Sequence, residues 1–283
     1  MNFTRITRMI TAALALNGLV IAGEIAIQDG QTIAFLGDSI TAAGAQRPAG
    51  YAYRVVSGLD VLGIKVKPVY AGIGGHKSNQ MLSRLEKDVL SKKPDWMTLS
   101  CGVNDVWHGD NGVKLEPYKA NITKIVDTCQ SAGVKVMLLT ATMIGEEPDN
   151  DNNQKLAPYN AFIRQLAKDK KCLLADLDAD MRAGLKPDIQ GNQLTSDGVH
   201  MNPMGNLMMA TGLMKSFGLS ADQLKQVREA WLDVPNACEI KGQTRVTQRE
   251  YIVLQEKAFA EGKSVDAWLK DKVSGLLKDL MAE

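Results

Sequence analysis

Between residue 31 and about residue 217, five short apolar runs alternate with four longer amphipathic stretches, and this rhythm constrains the fold more than any other feature of the chain. The runs are residues 32–36, 65–70, 96–101, 134–140 and 173–177; the helical patterns lie near 51–62, 79–90, 117–132 and 154–170. Strands that read as continuous apolar runs belong to sheets buried on both faces. Strands separated by helix-length segments pair in parallel through crossovers. The pattern therefore predicts an α/β fold, a three-layer α/β/α sandwich around a parallel sheet of about five strands. Ligands of such sheets bind beyond the carboxyl ends of the strands. Ser39 and Asn104 fall just past the first and third runs, and Gly75 follows the second, so three distant segments are predicted to meet at one crevice.

After Phe217 the pattern becomes helical only. It begins with Ser220-Ala221-Asp222-Gln223, a capping-box sequence, and ends in a helix from about Val265. That last helix places Trp268, Leu269, Val273, Leu276, Leu277 and Leu280 at helical spacing, a stripe that must bury against something. The main domain is the expected partner and a subunit interface the alternative; the oligomeric state stays open.

At the other end, residues 1–22 hold Arg5 and Arg8, no acidic residue, and an apolar stretch from Met9 to Ala22 interrupted by Asn17. The stretch is short for a membrane span and fits a cleaved export signal, with an uncleaved anchor as the alternative. The chain thus divides into a signal over 1–22, a main domain over 23–217 and a C-terminal helical extension over 218–283, exported to the periplasm or beyond. Loss of the two arginines would leave 31 basic and 32 acidic side chains, so no field steers the protein to nucleic acid. No long exposed apolar run or basic amphipathic helix suggests stable membrane insertion. The four cysteines, at 101, 129, 172 and 238, are too irregularly spaced for a metal knuckle. No metal is expected, and disulfide pairing is left open.

Four segments carry the chemistry: Gly37-Asp38-Ser39-Ile40, Gly72-Ile73-Gly74-Gly75, Gly102-Val103-Asn104-Asp105 and Asp197-Gly198-Val199-His200. A serine hydroxyl needs a base within hydrogen-bond reach and a turn that exposes it, which a strand followed by Gly-Asp-Ser and a helical start provides. A carboxylate three residues before a histidine can hold one ring nitrogen and so fix the tautomer that faces the serine. Ser39, His200 and Asp197 are thus the candidate nucleophile, base and orienting acid. A tetrahedral intermediate also needs hydrogen-bond donors for its oxyanion. The candidates are the N–H of Ser39, the N–H of Gly75, where the missing Cβ would allow close approach, and the Asn104 amide. Gly74 competes with Gly75, and spacing alone does not choose. Taken alone, Gly-Asp-Ser also reads as an ordinary helix cap and Asn104 as a turn residue.

With these four blocks in this order, residues 31 to about 217 resemble the Gly-Asp-Ser-Leu family, the SGNH hydrolases, with Ile40 at the usual leucine position. The resemblance implies a flavodoxin-like sandwich, no cofactor, and ester hydrolysis through an acyl-enzyme, with Ser39, His200 and Asp197 catalytic and Ser39, Gly75 and Asn104 forming the oxyanion hole. It is strongest to exported members that remove O-acetyl groups from carbohydrates, so the expected partner is a small ester or an acetylated glycan. Trp107 and His108, just past Asn104, are candidate substrate contacts, an aromatic ring there suiting a sugar face. A lysophospholipase or thioesterase with a deeper apolar pocket is the second reading. A non-catalytic glycan-binding protein would not need Ser39, Asn104, Asp197 and His200 together.

Overall fold

The computed structural model of the chain describes residues 25–235, 237–240 and 244–282. The segment read as an export signal lies outside the described residues. In chain order the elements are β1 (Thr32–Gly37), α1 (Ser39–Gln46), α2 (Tyr51–Val61), β2 (Lys67–Gly72), α3 (Ser78–Asp88), β3 (Trp96–Ser100), α4 (Val103–Trp107), α5 (Leu115–Ser131), β4 (Lys135–Leu139), α6 (Asp151–Asp169), β5 (Leu173–Ala175), α7 (Leu177–Gly184) and α8 (Pro203–Ser216). The extension adds α9 (Ala221–Leu232), β6 (Cys238–Ile240), β7 (Thr244–Val246), α10 (Gln248–Ala260) and α11 (Val265–Ala282).

The five main strands form one parallel sheet in the order β2-β1-β3-β4-β5. This is the flavodoxin-like order, in which the chain reverses its direction of growth between β1 and β3 and opens a crevice at their carboxyl ends. The apolar runs explain the layering. All of β3 is buried, as is β1 from Ile33 onward, because helices cover both faces. On one side α3, α5 and α6 pack against each other; on the other α2, α8 and α9 do. Helix α5 buries Tyr118, Ile122, Ile125, Val126 and Cys129 along a single face. Across the sheet, the Trp96 ring meets Phe217 edge-on with centroids 5.4 Å apart.

Of the strand boundaries that differ from expectation, two have clear local reasons. β2 starts at Lys67 rather than residue 65 because the Lys65 N–H is bound to Asp29 Oδ1 (2.7 Å) instead of entering the ladder. β5 stops at Ala175 because the Asp176 carboxylate caps α7 by accepting from the Ala179 N–H, which makes Leu177 helical.

The extension keeps the predicted capping box, with Ser220 and Gln223 bonded reciprocally at the start of α9. It is not wholly helical: β6 and β7 form an antiparallel hairpin between α9 and α10. A second apolar cluster built on Ala49, Cys238, Tyr251, Ala258 and Val265 joins it to the main domain. A buried polar tie runs alongside, in which Arg54 donates to the Pro203 carbonyl (3.1 Å) and to Gln248 Oε1 (2.5 Å). Trp268 and Leu269 pack on this cluster, but Val273, Leu276 and Leu280 are more than half exposed. The main domain therefore buries only the first part of the α11 stripe, because the cluster ends at Leu269 while the helix continues. The Leu277 side chain lies outside the described residues. The four cysteines are all free thiols. Among the described residues no helix is long and apolar enough to cross a membrane.

Candidate active site

The crevice at the β1/β3 switch point collects all four segments. β1 ends at Gly37, Asp38 becomes the N-cap of α1 by accepting from the Ile40 N–H (2.9 Å), and Ser39 is the first helical residue. The cap reading of Gly-Asp-Ser thus holds, and the same turn presents Ser39 at the end of β1. A first-turn N–H has no partner within its own helix and carries the positive end of the helix dipole, so the Ser39 amide is suited to an anion.

His200 Nε2 lies 2.8 Å from Ser39 Oγ, and His200 Nδ1 lies 2.7 Å from Asp197 Oδ2. With Nδ1–H donating to the carboxylate, Nε2 is left to accept from the serine hydroxyl. Asp197 Oδ1 also accepts the N–H groups of Val199 (3.0 Å) and His200 (2.7 Å). Partial burial pushes the Asp197 carboxyl up, but these bonds to the His200 backbone, the His200 ring and Val199 outweigh it and hold the carboxyl below its usual range. Gly198, between them, sits at φ +92°, a backbone region that glycine enters without penalty.

The glycine loop after β2 passes over Ser39. A Cβ added at Gly74 would come 3.9 Å from Ser39 Cβ, in ordinary contact, whereas one at Gly75 would meet nothing within 4 Å. Within the protein itself, glycine at position 75 is demanded by its φ of +74°. Asn104, on α4 and buried, donates to the His76 carbonyl (3.2 Å) and to Asp38 Oδ2 (3.3 Å). Both bonds are at the long end for N–H···O. The amide so ties the glycine loop, the turn at Asp38 and the end of β3 together. Burial pushes the Asp38 carboxyl up to about 6, against the opposing effects of the Ile40 N–H and the His200 charge.

Trp107, 45% exposed, stands beside the histidine with ring centroids 6.5 Å apart. His108 caps α4 on the surface, 6.4 Å from the Trp107 ring. Among the described residues no group of three or more His, Cys, Asp or Glu side chains is arranged to hold a metal ion.

Three positioning residues were not singled out from the sequence. Glu146, in the loop after β4, accepts the N–H groups of Gln193 (2.5 Å), Leu194 (2.9 Å) and Thr195 (2.6 Å) and the Thr195 hydroxyl (2.6 Å). Thr195 Oγ1 in turn accepts from the Gly198 N–H (3.0 Å), so one carboxylate organises the loop that carries Asp197 and His200. Arg84 donates to the Gly37 carbonyl (2.9 Å) and to His76 Nδ1 (3.2 Å), bracing the end of β1 against the glycine loop. Asp105 accepts from the Ser78 hydroxyl (2.6 Å) and N–H (3.0 Å), fixing the start of α3. Glu146 had one available signal, its place just beyond a strand end; in Gly145-Glu146-Glu147-Pro148-Asp149 it reads as a solvated loop.

The sequence model of the GDSL-like lipase/acylhydrolase family matches residues 35–207. An acetylxylan esterase from Geobacillus stearothermophilus is 28% identical over 213 residues, which span 68% of this chain and 96% of that protein. The crystal structure of the acetyl xylan esterase AlAXEase shares 34% identity with a TM-score of 0.61, covering 65% of this chain and 98% of its own. Esterase TesA of Pseudomonas aeruginosa is 26% identical over 171 residues, 60% of this chain and 79% of that protein.

Proposed function

This chain belongs to the GDSL-like lipase/acylhydrolase family and is a serine carboxylic ester hydrolase, and we propose that it removes O-acetyl groups from carbohydrates through an acyl-enzyme on Ser39. The observation that carries the mechanism is the continuous chain Ser39 Oγ, His200 Nε2, His200 Nδ1, Asp197 Oδ2, with contacts of 2.8 and 2.7 Å. Ser39 Oγ attacks the ester carbonyl while its proton passes to His200, and Asp197 stabilises the imidazolium that forms. The oxyanion meets the N–H of Ser39, the N–H of Gly75 and the Asn104 amide, whose long bonds to His76 and Asp38 make it available to a better acceptor. Each such donor is worth about 3 kcal/mol of barrier. His200 then protonates the leaving alcohol, the ester C–O bond breaks, and water activated by the same ring returns the acyl group as a free acid.

The acetyl-carbohydrate reading is supported by the two acetylxylan esterase relatives, matched over nearly their whole lengths, and by the Trp107 ring beside His200, an apolar face suited to a sugar. The likeness to Esterase TesA supports ester hydrolysis alone, and a lysophospholipase or thioesterase specificity stays the second reading. Residues 1–22 serve in this account as an export signal that delivers residues 23–283 to substrate outside the cytoplasm. Hydrolysis of aryl esters from acetyl to octanoyl, together with acetate release from acetylated xylo-oligosaccharides, tests the proposal. Acetyl-limited turnover with release from the glycan is expected; preference for octanoyl would replace it by the second reading.

A further inference from the structure

The family match ends at residue 207, and the relatives are matched almost end to end by about two thirds of this chain, so the extension over 218–283 needs a role of its own. It docks on the two segments that flank the catalytic histidine. Gln190, just before the loop that Glu146 organises, exchanges backbone bonds with the extension, accepting from the Ser264 N–H (2.6 Å) and donating to the Gly262 carbonyl (3.1 Å). Ala49, in the turn between α1 and α2, joins the apolar cluster of Tyr251 and Val265.

Between these segments lies a cleft of about 380 Å³, within the range of about 300–1,000 Å³ usual for small-molecule sites. It is lined by the end of α1 and the turn after it, with Ala43, Gln46 and Arg47, by the extension, with Tyr251 and Asp266, and by His200. Ser39, Gly75, Asn104 and Trp107 do not line it, so the cleft reaches His200 but not the oxyanion donors.

That placement fixes which half of an ester can occupy it. The protonated His200 must give its proton to the leaving oxygen, so the alcohol departs on the histidine side, while the acyl carbonyl faces the oxyanion donors. The lining carries an amide, a guanidinium and a carboxylate with an apolar floor of Ala49 and Val265. Hydroxyl groups that both donate and accept find partners in such a set, and the C–H face of a sugar ring can rest on the floor. A lone acyl chain would gain nothing from the charges.

We propose that the C-terminal extension completes a binding site for the alcohol half of the substrate, a polyhydroxylated glycan, with Gln46, Arg47 and Asp266 contacting its hydroxyl groups. The proposal rests on the carbohydrate reading above. It is tested with residues 23–283 as wild type, Arg47→Ala, and Ala43→Trp, in which a bulky ring on the exposed face of α1 fills the cleft. The readout is the ratio of kcat/KM for an acetylated xylo-oligosaccharide to that for 4-nitrophenyl acetate. Both variants are expected to lower this ratio about tenfold or more, chiefly by raising KM for the glycan. Inhibition by the deacetylated oligosaccharide, the product alcohol, should weaken in parallel. A wild type that favours the glycan, with both variants keeping its ratio within about twofold, overturns the cleft assignment alone. A wild type that releases no acetate from the glycan while cleaving the aryl ester overturns the carbohydrate reading and the cleft assignment with it.

Discussion

Replacing Asp38 by Asn should raise the protein's stability relative to wild type as pH goes from acid to neutral, and the size of the effect follows from the site. Asp38 is 2% exposed and its carboxyl is pushed from 3.8 up to about 6, first by burial. A carboxyl raised on folding favours the fold fully below its unfolded pKa and loses that contribution as pH rises through the folded value. For Asp38 the loss runs from about pH 4 to about pH 6 and amounts to about 2–3 kcal/mol. Asparagine keeps an oxygen to accept the Ile40 N–H, so the helix cap survives. Its amide would confront the Asn104 amide that donates to Asp38 Oδ2, but that cost is the same at every pH. Urea unfolding of both proteins at about pH 4 and pH 7.5 isolates the charge. The stability of Asp38→Asn relative to wild type should rise by about 2–3 kcal/mol between the two. A flat difference, or a fall, would refute the claim that this carboxylate is held ionised at a cost beside Ser39.

Removing Glu146 strands three N–H groups and a hydroxyl; Glu146→Ala should cost about 2–3 kcal/mol in thermal or urea unfolding and lower kcat on a small aryl acetate more than it raises KM, with Glu146→Gln milder because one oxygen can keep three of the four bonds. Asp197→Ala removes the group that orients the imidazole and should cut kcat by about 10²–10⁴-fold with little change in KM; a loss confined to KM would contradict its place in the hydrogen-bonded chain. Gly75→Ala meets no steric conflict but forces alanine to φ +74°, so stability should fall by about 1–2 kcal/mol while the protein still folds, as circular dichroism on heating would record. Trp107→Ala should raise KM for a glycan ester and spare a small aryl acetate, and equal effects on the two would remove the ring from specificity.

The elements legible in the sequence were those whose cause is local or periodic. Continuous apolar runs located all five main strands, and the Ser220 capping box located α9, because burial on two faces and a side-chain cap both leave marks within a few residues. Ser39, Asn104, Asp197 and His200 stand out in the sequence because each sits in a short block, and in two of the blocks a neighbouring carboxylate sets the local backbone: Asp38 caps the helix that Ser39 begins, and Asp197 accepts from the backbone that carries His200. Glu146 and Arg84 were not identifiable, since the backbone groups they bind lie 47–49 and 47 residues away along the chain and a lone charged side chain gives no sign of which backbone it will brace. The hairpin of β6 and β7 escaped because three-residue strands are too short for a periodic pattern. The exposed half of the α11 stripe shows the limit of periodicity itself: it marks an apolar face without saying where the covering surface ends.

The central claim is that Ser39 carries the acyl group in a covalent intermediate. The most direct test is to mix residues 23–283 with an aryl acetate, quench in acid during turnover, and locate the acetyl group by peptide mass spectrometry, with Ser39→Ala beside it. The account predicts acetyl on Ser39 in the wild type, and in Ser39→Ala no adduct and a loss of turnover of at least about 10⁴-fold. Acetyl on another residue, or turnover that persists in Ser39→Ala, would contradict it.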